Sequence, residues 1–202
     1  LMKMKVDFIF DFASPNAYFC HKVIPEIENR TGISFNYVPC LLGGIFKITN
    51  NQAPMMAFNG ITNKLEYQNI EIQRFIQKHD LKNFTMNSFF PVMTLQLQRG
   101  AIAAKSLNVF DDYIEAIFKG MWEMSLNLAD QEILIELLAT ETQIDIPNLI
   151  EKMQTQEIKD QLIQNTSSAV ERGAFGIPTF FVDDEIFFGK DSLGDLEDFI
   201  TK

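Results

Sequence analysis

Ser14 followed by Pro15 is the pair in this chain best placed to do chemistry. A serine at a helix start can accept a hydrogen bond from a free backbone N–H, and proline at the first helical position gives up an N–H that would lack a partner anyway. At such a junction the helix dipole and the unpaired N–H groups favour an anion, and the hydroxyl adds one more donor. The pair suits a site that holds a negative atom; taken alone, it reads more readily as a plain helix cap. Cys20 and Cys40, the only cysteines, belong to no Cys-x-x-Cys and read as small buried hydrophobes. His21 and His79 read as isolated, so neither a metal site nor a Cys/His catalytic pair is expected.

The elements around Ser14 must position it. Val6, Phe8, Phe10 and Phe12 fall on one face at period two, with Asp7, Ile9 and Asp11 on the other, which predicts a largely buried central strand. A helix follows Ser14, with Pro25 expected to kink it or end it early and Thr31-Gly32 marking its stop. Ile33, Phe35 and Tyr37 alternate with polar residues up to Pro39, so a parallel strand–helix–strand unit is expected. A polar, turn-rich loop from Thr49 to Pro54 is a candidate wall for a site.

From about Met55 to Gln154 the chain reads as helix after helix. One helix is expected over Lys64 to His79 and another from near Pro91 to Leu107. The strongest periodicity runs through Phe110, Tyr113, Ile114, Ile117, Phe118, Met121 and Trp122, a stripe that reads as core. Asp130 and Pro147 open two more helices. A last long helix spans Thr155 to Arg172, and a hairpin of Thr179 to Val182 and Glu185 to Phe188 follows it. Asp191-Ser192 is expected to cap a closing helix. Setting residues 53–154 aside as an inserted helical subdomain leaves β-α-β then α-β-β-α over 1–52 and 155–202, the order of a thioredoxin-like α/β domain.

The composition narrows the partners. A formal charge of -10 without a Lys/Arg run argues against nucleic acid and anionic membrane surfaces. No apolar stretch reaches spanning length, and Leu1-Met2-Lys3-Met4-Lys5 runs straight into a strand without a signal-peptide core, so a cytoplasmic location is expected.

Asp11-Phe12-Ala13-Ser14-Pro15, Leu41 to Lys47, Asn51-Gln52-Ala53-Pro54, Phe90-Pro91-Val92, Arg99-Gly100-Ala101 and Gly173 to Asp191 occur in an order that resembles the 2-hydroxychromene-2-carboxylate isomerase family. That family lies in the DsbA-like branch of the thioredoxin superfamily, close to the kappa-class glutathione transferases. The resemblance implies glutathione as cofactor, with Ser14 bonding its sulfur and favouring the thiolate. It implies Asn51 as a further contact, and Ile177, before a cis Pro178, pairing with the cysteinyl backbone. Phe188, Gly189, Lys190 and Asp191 would receive the γ-glutamyl end, while Lys47 and Phe89 would meet a small aromatic or unsaturated carboxylate substrate. A homodimer is expected on the same ground. Ser192 stands where the family often has arginine, Met93 where asparagine is common, and Met55-Met56-Ala57 where the characterised isomerases are more polar. These departures bear on the substrate more than on the cofactor.

The implied activity is cis-trans isomerisation of an aromatic or unsaturated keto acid by reversible thiolate addition. The alternatives are a kappa-like glutathione transferase or peroxidase, a DsbA-like thiol oxidoreductase lacking its cysteine pair, and a non-catalytic binding protein.

Overall fold

Val6, Phe8 and Phe10 are all fully buried, so the strand that carries them sits in the middle of the sheet, and Phe12 just beyond its end is fully buried too. A computed structural model of the chain describes residues 4–202; the leaderless start read at Leu1 to Lys3 lies outside the described residues. Strand β1 (Lys5–Phe10) leads to helix α1 (Pro15–Thr31) and strand β2 (Ser34–Pro39), which pairs with β1 in parallel from Lys5↔Ser34 to Phe10↔Pro39. Strands β3 (Thr179–Val182) and β4 (Glu185–Phe188) form the expected hairpin, and β3 runs antiparallel to β1. The sheet order is β2-β1-β3-β4. This is the thioredoxin order predicted from the pattern of elements.

Helix α1 does not end early at Pro25. Its buried residues Val23, Ile24 and Ile27 continue across the proline, which lies on the exposed face, and the helix runs on to Gly32, whose left-handed φ of 69° closes it.

Between the two halves of the sheet lie α2 (Leu42–Thr49), α3 (Pro54–Ala57), α4 (Lys64–His79), α5 (Leu95–Ser106), α6 (Phe110–Trp122), α7 (Gln131–Glu141), α8 (Ile146–Met153) and α9 (Gln156–Glu171). Helix α10 (Leu193–Ile200) closes the chain. The aromatic stripe expected on α6 is core: Phe118 meets Phe12 edge-on at 4.8 Å, and Trp122 is fully buried. Helix α5 packs against α6, α8, α9 and β2, so one continuous core joins the helices to the sheet. Each such buried side chain contributes about 1.5–3 kcal/mol relative to exposure.

Two helix starts differ from the sequence reading. Helix α5 begins at Leu95 rather than near Pro91: the Phe90–Pro91 bond is cis, residues 91–94 are not helical, and the Thr94 hydroxyl is taken up by Asp11 instead of capping. The Ser192 hydroxyl likewise donates to the Gly189 carbonyl at 2.7 Å, and a 3-10 turn over Lys190–Ser192, not an Asp-Ser cap, opens α10.

Both cysteines are free and buried, and burial pushes the Cys40 thiol up to about 12. His21 is not isolated. Its Nδ1 lies 2.7 Å from the Tyr37 hydroxyl and its Nε2 2.6 Å from Glu115, a cluster that ties α1 to β2 and α6. No helix of the described residues is long and apolar enough to cross a membrane.

Candidate functional site

Where β1 ends, Asp11 turns its carboxylate inward and is 1% exposed. Oδ1 accepts from the Ala13 N–H at 2.9 Å and the Thr94 hydroxyl at 2.7 Å, and Oδ2 accepts from the Leu42 N–H at 2.9 Å. One side chain thus fixes the approach to α1, the start of α2 and the start of α5. Gln98 does similar work one layer deeper: its Oε1 accepts from the Phe12 N–H at 3.1 Å, and its amide donates to Phe10 O at 3.0 Å and Cys40 O at 2.8 Å. The Trp122 indole N–H donates to Phe12 O at 2.8 Å. The turn that delivers Ser14 is therefore held from several sides.

Burial raises the Asp11 carboxyl above its ordinary value, and the three hydrogen bonds it accepts offset that only in part. Because the folded protein holds this proton more tightly than the unfolded chain, the group lowers stability as pH rises above 3.8. Asp11→Asn has no proton to exchange there. Urea midpoints measured from about pH 4 to about pH 7 should fall less with rising pH in the variant than in the parent. Parallel curves would refute this.

Ser14 is the N-cap of α1, with φ -95° and ψ 117°, and its Oγ accepts from the Ala17 N–H at 3.1 Å. A hydroxyl that accepts in this way keeps its own proton to donate, and no acceptor for it occurs among the described residues. The Asn16 N–H, in the first turn of α1, likewise has no partner among the described residues. Two donors without partners among the described residues therefore lie at the positive end of a 17-residue helix.

The antiparallel pairing Ile9↔Thr179 brings the residues before β3 beside those after β1. The Ile177–Pro178 bond is cis, as expected in this frame, and Ile177 makes no backbone hydrogen bond with the described residues. Ser14 and Ile177 both line a cavity of about 560 Å³. Phe46, Leu65, Ile72, Phe84 and Phe90 supply apolar walls, and Asn16, Gln68, Asn69, Gln73 and Glu71 supply polar ones. Neither histidine lines it.

A second cleft, of about 860 Å³, lies between α1, α4 and α10 and shares Gln68 and Glu71 with the first. Lys190 and Asp191 belong to this cleft. The Lys190 side chain is 2% exposed, with its Nζ 2.6 Å from Glu71 and 3.0 Å from Asp191, so it links α4 to the end of the hairpin. The Asp191 carboxylate remains largely exposed.

The other predicted residues are placed around these cavities. Asn51 donates to the Phe175 carbonyl at 2.8 Å, and Phe188 packs on the Phe175 ring at 4.6 Å. Gly189 has φ 86°, a conformation costly for any other residue, and its N–H donates to Pro178 O. Lys47 and Phe89 are exposed and outside the cavity lining, where Phe90 is found instead. Sequence reasoning missed Gln98, Thr94, Gln68 and Glu71. For Gln98 the available signal was one polar residue on the apolar face of Leu97 and Ala101.

A parallel βαβ unit and a hairpin sharing one four-stranded sheet, with a helix start facing the residue before a cis-proline, define a thioredoxin-fold protein. The chain belongs to the DSBA-like thioredoxin domain family, which it matches over residues 5–201. It is 25% identical over 199 residues to the 2-hydroxychromene-2-carboxylate isomerase of Sphingobium xenophagum, covering 98% of this chain and 99% of the relative. It is 21% identical to the glutathione S-transferase kappa 1 of Caenorhabditis elegans, covering 98% and 91%. A solved structure of a 2-hydroxychromene-2-carboxylate isomerase superposes with a TM-score of 0.83 at 21% identity, over 98% of this chain and 94% of that one.

Proposed function

We propose that the protein is a glutathione-dependent isomerase of the 2-hydroxychromene-2-carboxylate isomerase type, changing the geometry of a double bond conjugated to a carbonyl. The observation that carries this reading is the Ser14 hydroxyl, with its proton free, at the N-terminus of α1 and on the same cavity as the unpaired backbone of Ile177. Those groups fit a thiol tripeptide. Ser14 and the Asn16 N–H would hold its sulfur as the anion, and Ile177 would pair with its backbone as an added strand does. Lys190 and Asp191 lie in the adjoining cleft, where the charged γ-glutamyl end would be received. When bound, glutathione supplies the thiolate that adds to the conjugated carbon and leaves again once the resulting single bond has rotated. Ser14 acts by donating a hydrogen bond and is not itself the nucleophile, because no histidine lines the cavity to serve as its base.

The same thiolate would also serve a kappa-like transferase, in which the adduct is released as product. The apolar walls of the cavity favour this as the second reading. A disulfide oxidoreductase is disfavoured by Ser14-Pro15-Asn16-Ala17 where a cysteine pair would stand and by the burial of both thiols. Dependence on reduced glutathione fits a reducing compartment such as the cytoplasm, and a homodimer follows the family resemblance.

Calorimetric titration of reduced glutathione into the parent and into Ser14→Ala tests the proposal. The parent should bind saturably and show thiolate absorbance. The variant should bind more weakly, lose that absorbance, and lose about a hundredfold in turnover, the scale of one removed donor to a charged centre. If neither protein binds glutathione, the reading is wrong.

A further inference from the structure

Ionised groups are distributed unevenly between the two adjoining cavities. The cleft beside Lys190 gathers Arg30, Lys64, Arg74 and Lys78 together with the carboxylates of Glu26, Asp191 and Glu197. The cavity at Ser14 is lined by no lysine, arginine or histidine among the described residues. Its one ionised lining residue is Glu71, a carboxylate already paired with Lys190. Its other polar lining side chains are amides and the Ser14 hydroxyl, and the Asn16 Oδ1 is buried without a donor. Lys47, the residue expected to meet a substrate carboxylate, stands outside this lining.

We infer that the substrate taken at Ser14 is an uncharged, largely apolar conjugated carbonyl compound, and that a carboxylate on it is selected against. This deepens the glutathione reading and rests on it for the occupant of the charged cleft. Desolvating a carboxylate without a cation to meet it is costly, and Lys190 is already taken up by Glu71 and Asp191. The helix N-terminus offers no relief, because the thiolate claims it. A neutral ketone or aldehyde avoids that cost. Its ring meets Phe46, Phe84, Phe90 and the adaptable side chains of Met55 and Met86, and the cavity amides serve its oxygen. In the reaction the sulfur forms a bond to the β-carbon, the π pair moves through the α-carbon to the carbonyl oxygen, and no oxidant or reductant is consumed. Reversal of the same electron flow breaks the C–S bond after rotation.

Benzylideneacetone and benzylidenepyruvate differ only by a methyl or a carboxylate on the carbonyl, and so do their saturated forms, benzylacetone and benzylpyruvate. Ligand-observed NMR on the full chain saturated with reduced glutathione uses the saturated pair, which cannot add the thiol, so no turnover is needed. Benzylacetone should bind at least about tenfold more tightly than benzylpyruvate, the scale of one uncompensated charge. Gln68→Lys, which places an ammonium on the edge shared by the cavities, should narrow that ratio severalfold by improving the acid. With glutathione present, kcat/KM on the unsaturated pair should follow the same order. Equal or tighter binding of the acid overturns the inference, as does failure of both to bind. A preserved ketone preference in a protein that does not bind glutathione would leave this inference standing and remove the cofactor reading.

Discussion

Gln98→Leu is expected to lower stability by about 4 kcal/mol, seen as a fall in the urea midpoint at unchanged slope. The glutamine side chain is fully buried and serves three backbone groups at the ends of β1 and β2. Phe10 O would keep a partner, because the Cys40 N–H also donates to it at 3.0 Å. The Phe12 N–H and the Cys40 carbonyl would each lose the partner Gln98 provides, and a buried orphaned group costs about 1–3 kcal/mol. Leucine is of similar volume, so packing offsets little of this. A loss below about 1 kcal/mol would mean that water or a backbone shift replaces the amide. The variant should also weaken whatever Ser14 holds, since Phe12 is two residues from it.

Gly100→Ala should be comparably damaging, by about 3 kcal/mol, through overpacking. A β-carbon at Gly100 would overlap the Tyr113 hydroxyl oxygen and come within 2.7 Å of Cζ of the ring. Tyr113 is fully buried and donates to Leu97 O at 2.8 Å, so the ring has nowhere to go without giving up that bond. Adding Tyr113→Phe to Gly100→Ala removes the worse overlap and leaves the other. Part of the loss should return, and a double-mutant cycle measured by thermal denaturation would show the coupling. Additive effects would show that α5 and α6 move apart rather than clash. Both substitutions fall on α5, an element of the helical stretch, and both should unfold the sheet with it as one transition, because one core joins them.

The fold was legible because its signals are local. Alternation through Phe8, Phe10 and Phe12, the Ser14-Pro15 helix start and the Asp183-Asp184 turn each fix an element before any tertiary contact is considered. The order of those elements then leaves few topologies. The start near Pro91 rested on the proline alone, and residues 91–94 are not helical; the start at Ser192 misled because its hydroxyl is engaged by the Gly189 carbonyl instead of capping. Of the site, Ser14 and Ile177 meet on one cavity. Lys47 carried a charge suited to a carboxylate, but nothing in sequence reports which way a helix face points relative to a cavity made by α4. Gln68 and Glu71 were hidden for the converse reason. Helix α4 has a cavity on each side, so its polar residues lie where an ordinary surface helix would meet solvent.

The burial of Cys20 and Cys40 also bears on how the protein coexists with its surroundings. A protein proposed to work with a diffusible thiol meets both that thiol and its disulfide throughout its life. An exposed cysteine of its own would be capped by exchange with that pool, at a rate set by access and by the fraction ionised. Here both thiols are fully enclosed and burial pushes each upward, so the native chain presents nothing to trade. Rapid consumption of a thiol-selective reagent by the folded protein would then report on a bound small-molecule thiol. Slow labelling of the two cysteines would instead time the opening of the core.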